Sequence, residues 1–201
     1  MRLKKVTIGG GQRFWGYIPD AAIHILRTGN LDYMACDYLA ELTLSIMQRQ
    51  KLKNPVHGSS RDFFHPLQVI AKESYDKKIG IVTNAGGMNV EGCVDAVKNI
   101  AASQGLKGYK IGYVLGDDIM GQIDDLMGQG IAFINMDNGR KLAEVRDKIL
   151  NVNVYYGHEP IEACIAQGAD VVINGRAADS ALFLAPLKHA FGWAGDDWDN
   201  L

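Results

Sequence analysis

Brief apolar runs alternate with longer amphipathic stretches along most of the chain. Lys5–Ile8, Leu31–Cys36, Ile79–Thr83, Lys110–Leu115 and Asp170–Asn174 are short, apolar or β-branched, and bounded by polar or small residues. That is the signature of strands covered on both faces. The stretches between them predict helices over Pro19–Thr28, Leu39–Gln50, Phe63–Tyr75, Val90–Gln104, Ile119–Met127 and Pro160–Gln167, with another beginning at Ser180–Leu184. Pro19 at the start and Gly29 just past the end frame the first of these in the usual way. Lys51–Arg61 is polar, contains Pro55 and Gly58, and reads as a loop. Residues 131–154 are less regular. Ala132–Met136 has strand character, Gly139–Ile149 reads as a charged surface helix, and Val152–Tyr156 as a further strand. Strands separated by helices of ten or more residues indicate βαβ units. The expected fold is therefore α/β, a mainly parallel sheet flanked by helices in one domain over residues 1–201. The strand order is not readable from sequence, and a Rossmann-like open sheet is the favoured arrangement.

Apart from the irregular Ala132–Met136, each predicted strand empties into a polar or glycine-rich turn: GGGQRFWG, CDYLAE, TNAGGMN, GDD, YGHEP and NGRAADS. In open parallel sheets ligands bind beyond the carboxyl ends of the strands. If the strands run parallel, these turns share one edge, where acids, a base and anion binders meet. Asp37, Asp117 and His158 are the candidate catalytic groups, His158 because imidazole titrates near neutral pH. Gly9, Gly10, Gly11, Arg13, Asn84, Asn89, Arg176 and Asp179 are the candidate binding groups. The glycines offer backbone N–H groups, and the arginines fork onto a carboxylate or phosphate. If the first and last strands are near neighbours, Arg13 and Arg176 converge on one anion cavity. The alternative for each residue is structural. Asp179 or Ser180 caps the last helix, Glu159 caps the helix containing Pro160, and Arg176 pairs with Asp179. Asp117 and Asp118 either cap the helix expected from Ile119 or hold a divalent cation.

Several classes fall away. The first turn lacks the dinucleotide fingerprint, because Phe14 stands where the third glycine belongs. There is no G-x-S-x-G elbow and no Tyr-x-x-x-Lys pair. Cys36, Cys93 and Cys164 are isolated, which fits a reducing cytoplasm rather than a disulfide framework or a zinc knot. His24, His57, His65 and His189 are not spaced as metal ligands. No cofactor is assigned. The 201 residues carry a net charge of −2, with no basic footprint for nucleic acid. No apolar run is long enough to span a membrane.

Five blocks together, GQRFWGYIPDAA, LDYMACDYLAELTLS, IVTNAGGMNV, GDDI and GADVVINGRAADSALFLAPLKHAFGW, resemble the acyclic terpene utilisation (AtuA) family, in the family's order, from about Gly9 to Leu201. The resemblance implies a cytoplasmic protein of terpenoid or acyl-CoA catabolism. It also implies that the chain is the N-terminal part of a longer domain. It carries no catalytic residue, so the candidates above rest on strand-end position. The expected function is acid–base chemistry on a carboxylate or acyl-CoA, as in hydration or its reverse. The alternative is a non-catalytic subunit that binds an acyl-CoA or a partner enzyme. A homo-oligomer or a complex with a catabolic enzyme subunit is compatible with either.

Overall fold

The computed structural model describes residues 5–201. Five strands form one sheet, β1 (Ile8–Gln12), β2 (Tyr33–Cys36), β3 (Gly80–Thr83), β4 (Ile111–Val114) and β5 (Val171–Asn174), in the order β1-β2-β3-β5-β4. Every pairing is parallel, with Tyr33 opposite Gly80, Ile81 opposite Val171 and Ile111 opposite Val171. The fold is thus the α/β class expected.

The helices are α1 (Asp20–Thr28), α2 (Glu41–Lys53), α3 (Phe64–Lys77), α4 (Val90–Ser103), α5 (Ile123–Gly128), α6 (Glu159–Ala166) and α7 (Ala181–Phe191). Strand side chains alternate between two cores, as the pleat requires. Met34, Cys36, Ile81, Val171 and Ile173 pack with Leu26, Met47, Leu67, Ile70 and Val97 from α1 to α4. Ala35, Val82 and Val172 pack on the other face with Ile161, Ile165, Ala181, Leu182 and Ala185 from α6 and α7. All four residues of β5 are buried, which explains its uninterrupted apolar reading.

These two cores fix a switch point. β3 feeds α4, whose Cys93, Val94 and Val97 lie in the first core. The neighbouring β5 feeds α7, whose Ala181 and Leu182 lie in the second. The chain therefore leaves adjacent strand ends toward opposite faces, and a crevice opens between them.

Several boundaries and elements differ from the sequence reading. The first strand is Ile8–Gln12, not Lys5–Ile8, so Gly9, Gly10 and Gly11 lie within the strand rather than in a turn after it. Glycine's poor strand propensity hid this. A Cβ on Gly9 would come within 2.8 Å of Ile25 and Leu31, and one on Gly11 within 2.9 Å of Met34 and Cys36. Both are close-packing positions. Residues 132–136 form no strand, only a single antiparallel bridge from Ile134 to Lys141. The helix expected over Gly139–Ile149 is replaced by two 3₁₀ turns, Leu142–Glu144 and Arg146–Lys148. Its residues are mostly exposed, so no apolar face pays the cost of nucleating a helix there. Val152–Tyr156 forms no strand and contributes only isolated bridges, Asp118 to Asn153 and Tyr156 to Ala177. The helix expected from Ile119 begins as a 3₁₀ turn at Met120–Gln122 before α5. Among the described residues no helix is long and apolar enough to cross a membrane.

Candidate functional site

The switch point brings four of the candidates together. Asp37 follows β2, Asn84 follows β3, Asp117 lies beyond β4, and Arg176 follows β5. Asn84 is fully buried, and its side-chain oxygen accepts the Tyr38 backbone N–H at 2.7 Å. Its Nδ2 donates to Asp37 Oδ1 at 2.6 Å, and the Leu39 backbone N–H donates to the same oxygen at 3.1 Å. Asp37 Oδ2 accepts no hydrogen bond among the described residues. Asp37 is only partly buried. Burial nevertheless raises its pKa above the ordinary carboxyl value, and the Asp179 charge adds to this; Asn84, Leu39 and the Arg176 charge pull the other way.

Asp117 is 4% exposed and acts as a clamp. Its Oδ2 accepts the Arg176 backbone N–H at 2.7 Å and Asn153 Nδ2 at 3.0 Å. Burial raises its pKa too, with the Asp118 charge reinforcing the shift and those two donors opposing it. The approach is so close that a Cβ on Gly175 would collide with the Asp117 carboxylate. Asp118 instead accepts the Met120 backbone N–H at 3.0 Å, at the start of the 3₁₀ turn. Among the described residues no group of three or more His, Cys, Asp or Glu side chains is placed to hold a metal ion.

Arg176 is buried, its guanidinium pinned from several directions. Nη1 donates to Asp179 Oδ1 at 2.8 Å and to the Leu39 carbonyl at 3.0 Å. Nη2 lies 3.6 Å from Glu41 Oε1. The Tyr155 ring covers the guanidinium carbon at 4.1 Å, a cation–π contact. The Tyr155 hydroxyl donates to Glu41, holding the Glu41 carboxyl below its usual range. Asp179 thus serves as an ion-pair partner, and the helix cap expected from it is absent. Neither it nor Ser180 caps α7 with its side chain, and the Ala181 N–H is taken by the Ala178 carbonyl. The cap expected from Glu159 is also absent, because α6 begins at Glu159 itself, with His158 in the cap position and no side-chain bond.

His158 is buried at the start of α6. Its Nδ1 is 3.9 Å from Glu159 Oε2, and its Nε2 has no partner. Three further buried polar atoms at this edge lack one: Tyr156 Oη, Asn174 Oδ1 and Arg176 Nε. Tyr156 and Asn174 lie close enough to interact with each other, which leaves His158 Nε2 and Arg176 Nε as buried donors or acceptors that water or a ligand could satisfy.

The remaining candidates lie apart from this cluster or are committed elsewhere. Arg13 is exposed at the end of β1, and β2 and β3 separate that strand from β5. Three strand spacings of about 4.8 Å set the two strand ends roughly 14 Å apart. The convergence expected of Arg13 and Arg176 does not occur, because the first and last strands are not neighbours. Asn89 caps α4 by accepting the Gly92 N–H at 3.2 Å, and its Nδ2 donates to the Pro55 and His57 carbonyls. A cleft of about 1010 Å³ lies at the opposite, amino edge of the sheet, lined by Tyr33, Gly80, Lys110, Asp170 and His189 among others. It contains none of the candidates.

Asn153, Tyr155, Tyr156 and Asn174 join the site without having been singled out from the sequence. Asn174 is the last residue of β5. The other three arrive on an irregular segment whose pattern suggested only another strand. Their sole local signal is adjacency to the turn that carries His158.

No curated protein and no solved structure matches the chain. A family model, that of the acyclic terpene utilisation family protein AtuA, matches residues 6–201, spanning every element from β1 to α7. The chain that builds this switch-point cluster of Asp37, Asn84, Asp117 and Arg176 is thus a member of the acyclic terpene utilisation (AtuA) family.

Proposed function

We propose that the protein is a cytoplasmic enzyme of terpenoid or branched-chain acid catabolism that acts on a carboxylate or acyl-CoA at the carboxyl edge of its sheet. One observation carries this reading. Asp37 stands at the switch point with one oxygen anchored by Asn84 and Leu39, the other open, and its proton affinity raised by burial. Such a carboxyl is oriented and exchanges protons closer to neutral pH than a surface aspartate does. Adding water to a conjugated double bond, or removing it, requires one proton moved at oxygen and one at carbon. Asp37 serves the transfer at water. Asp117 is more deeply buried than Asp37 and clamps the Arg176 turn through Oδ2, so the second transfer is assigned to His158, whose Nε2 has no hydrogen-bond partner. Family membership supports the catabolic setting.

Product analysis by mass spectrometry, with α,β-unsaturated acids and acyl-CoAs as substrates, tests the reading. Asp37→Asn keeps the oxygen that accepts from Asn84 and Leu39 but cannot exchange the proton. Turnover is expected to fall by about 10²- to 10⁴-fold with the fold intact. Wild-type activity in that variant would overturn the assignment.

A second reading has its own observation. Ile131, Ile134 and Met136 are exposed on the irregular segment, Met136 to 99%. A non-catalytic subunit would offer such apolar groups to a second copy or to a catabolic enzyme subunit. It would bind acyl-CoA or partner with no turnover at all.

A further inference from the structure

An arginine presents two edges on which a carboxylate sits side by side, Nη1 with Nη2 and Nε with Nη2. In Arg176 the first is spent, because Nη1 donates to both Asp179 and the Leu39 carbonyl. The second is not. Nε is buried without a hydrogen-bond partner, and Nη2 lies 3.6 Å from Glu41 Oε1, beyond hydrogen-bond length, while Tyr155 lies against the same guanidinium, its ring at 4.1 Å and its hydroxyl close enough to interact with it. The two sides of that contact are unequal: the Arg176 side chain is 5% exposed and that of Glu41 77%. A buried guanidinium edge with an unmet N–H is costly, and a well-solvated carboxylate held at arm's length does little to relieve it.

We propose that the Nε/Nη2 edge of Arg176 is a carboxylate-binding fork, and that Glu41 is its resident occupant, displaced when a ligand carboxylate enters. The proposal rests on the reading of the carboxyl edge as a ligand site. Tyr155 makes the exchange favourable. Its hydroxyl now donates to Glu41. Once Glu41 swings into water, the same hydroxyl is free for the ligand, which gains three donors: Nε, Nη2 and Tyr155 Oη. Glu41 gives up one long contact and one hydrogen bond and is hydrated in return. Tyr155 rides on residues 149–158, which belong to no strand, so the cover over Nε can shift without breaking the sheet. A thioester carbonyl carries no charge and does not match the fork. A free acid does, and the phosphate of a coenzyme A moiety offers the same acceptor chemistry.

Calorimetry on the full chain with hexanoate, its neutral isostere hexanamide, and inorganic phosphate separates these cases. Hexanoate is expected to bind and hexanamide not. Glu41→Gln, at an exposed position, is expected to tighten hexanoate binding roughly three- to tenfold, because a neutral amide competes poorly for the fork. Arg176→Lys is expected to weaken it tenfold or more, since an ammonium cannot form the fork. Hexanoate affinity left unchanged or weakened by Glu41→Gln overturns the fork while leaving a carboxylate site in place. Phosphate bound in preference to hexanoate, with the same response to Glu41→Gln, overturns the carboxylate assignment in favour of a phosphate. Absence of binding by all three probes overturns both the fork and the ligand site it depends on.

Discussion

Arg13 and Arg176 occupy equivalent places in the chain, each just past the end of a strand and close to glycine. One is exposed at the edge of the sheet; the other is buried at its switch point, bonded to Asp179 and Leu39 and covered by Tyr155. The glycines differ likewise. Gly10 has open space where a side chain would go, whereas Gly175 has the Asp117 carboxylate. A strand end becomes a site through its neighbours. β1 has a partner on one side only, whereas β5 is paired on both, and its chain departs toward the opposite face from that of its neighbour β3.

The contrast should be largest for the arginines themselves. Arg176→Ala removes two charge-assisted hydrogen bonds and leaves the Leu39 carbonyl buried beside a void. It is expected to cost about 2–4 kcal/mol in urea unfolding, against about 0.5 kcal/mol or less for Arg13→Ala. Equal effects would mean that the burial of Arg176 contributes nothing to the fold.

The glycines sharpen the comparison at smaller scale. Gly175→Ala forces a Cβ against the Asp117 carboxylate and is expected to cost about 1–3 kcal/mol, with the Arg176–Asp117 bond disturbed. Gly10→Ala meets nothing and narrows the unfolded ensemble, so a change within about 1 kcal/mol is expected, favourable in sign. Thermal melts of the two variants side by side decide it.

The smallest effect is a pH dependence. Burial makes the Asp37 carboxyl hold its proton more tightly in the folded chain than in the unfolded one. As pH rises past the ordinary aspartate range, near 4, the unfolded chain releases that proton first, so stability falls with pH over this window. Asp37→Asn removes the dependence. Its melting temperature is expected to match wild type near pH 3 and to exceed it increasingly toward pH 7. Parallel curves would mean that Asp37 titrates as a surface carboxyl. Substitutions of Gly9 to Arg13 carry no carboxylate and should leave the pH profile unmoved.

The sequence revealed the sheet because buried parallel strands carry short apolar runs, as residues 171–173 in β5 illustrate. It misplaced β1 because three glycines in a row read as a turn, although Gly9 and Gly11 are there to let α1 and β2 approach. It turned residues 139–156 into a helix and a strand because local pattern carries no information on whether a partner exists. Asp37, Asn84, Asp117 and Arg176 could be placed at the carboxyl edge by position alone, since a polar residue just after a parallel strand lies at that edge. Asn153 and Tyr155 could not be. Their roles depend on contacts with Asp117 and Glu41 that the fold, not the chain, brings close.

The segment that carries Asn153 and Tyr155 has a consequence for how the molecule opens. It is tied back by Ser45 with Asn151 and by Glu41 with Tyr155, pairs separated by 106 and 114 residues. It contributes no ladder to the sheet and no helix to either core. A segment with few buried apolar contacts, held mainly by side-chain bonds and isolated bridges, opens before the packed sheet does. Residues 149–158 are therefore a separate cooperative unit, expected to exchange their amide hydrogens well before β3 and β5. The sheet can thus stay folded while the cover over Arg176 opens, and the free energy between those two conditions is held in a handful of side chains above it.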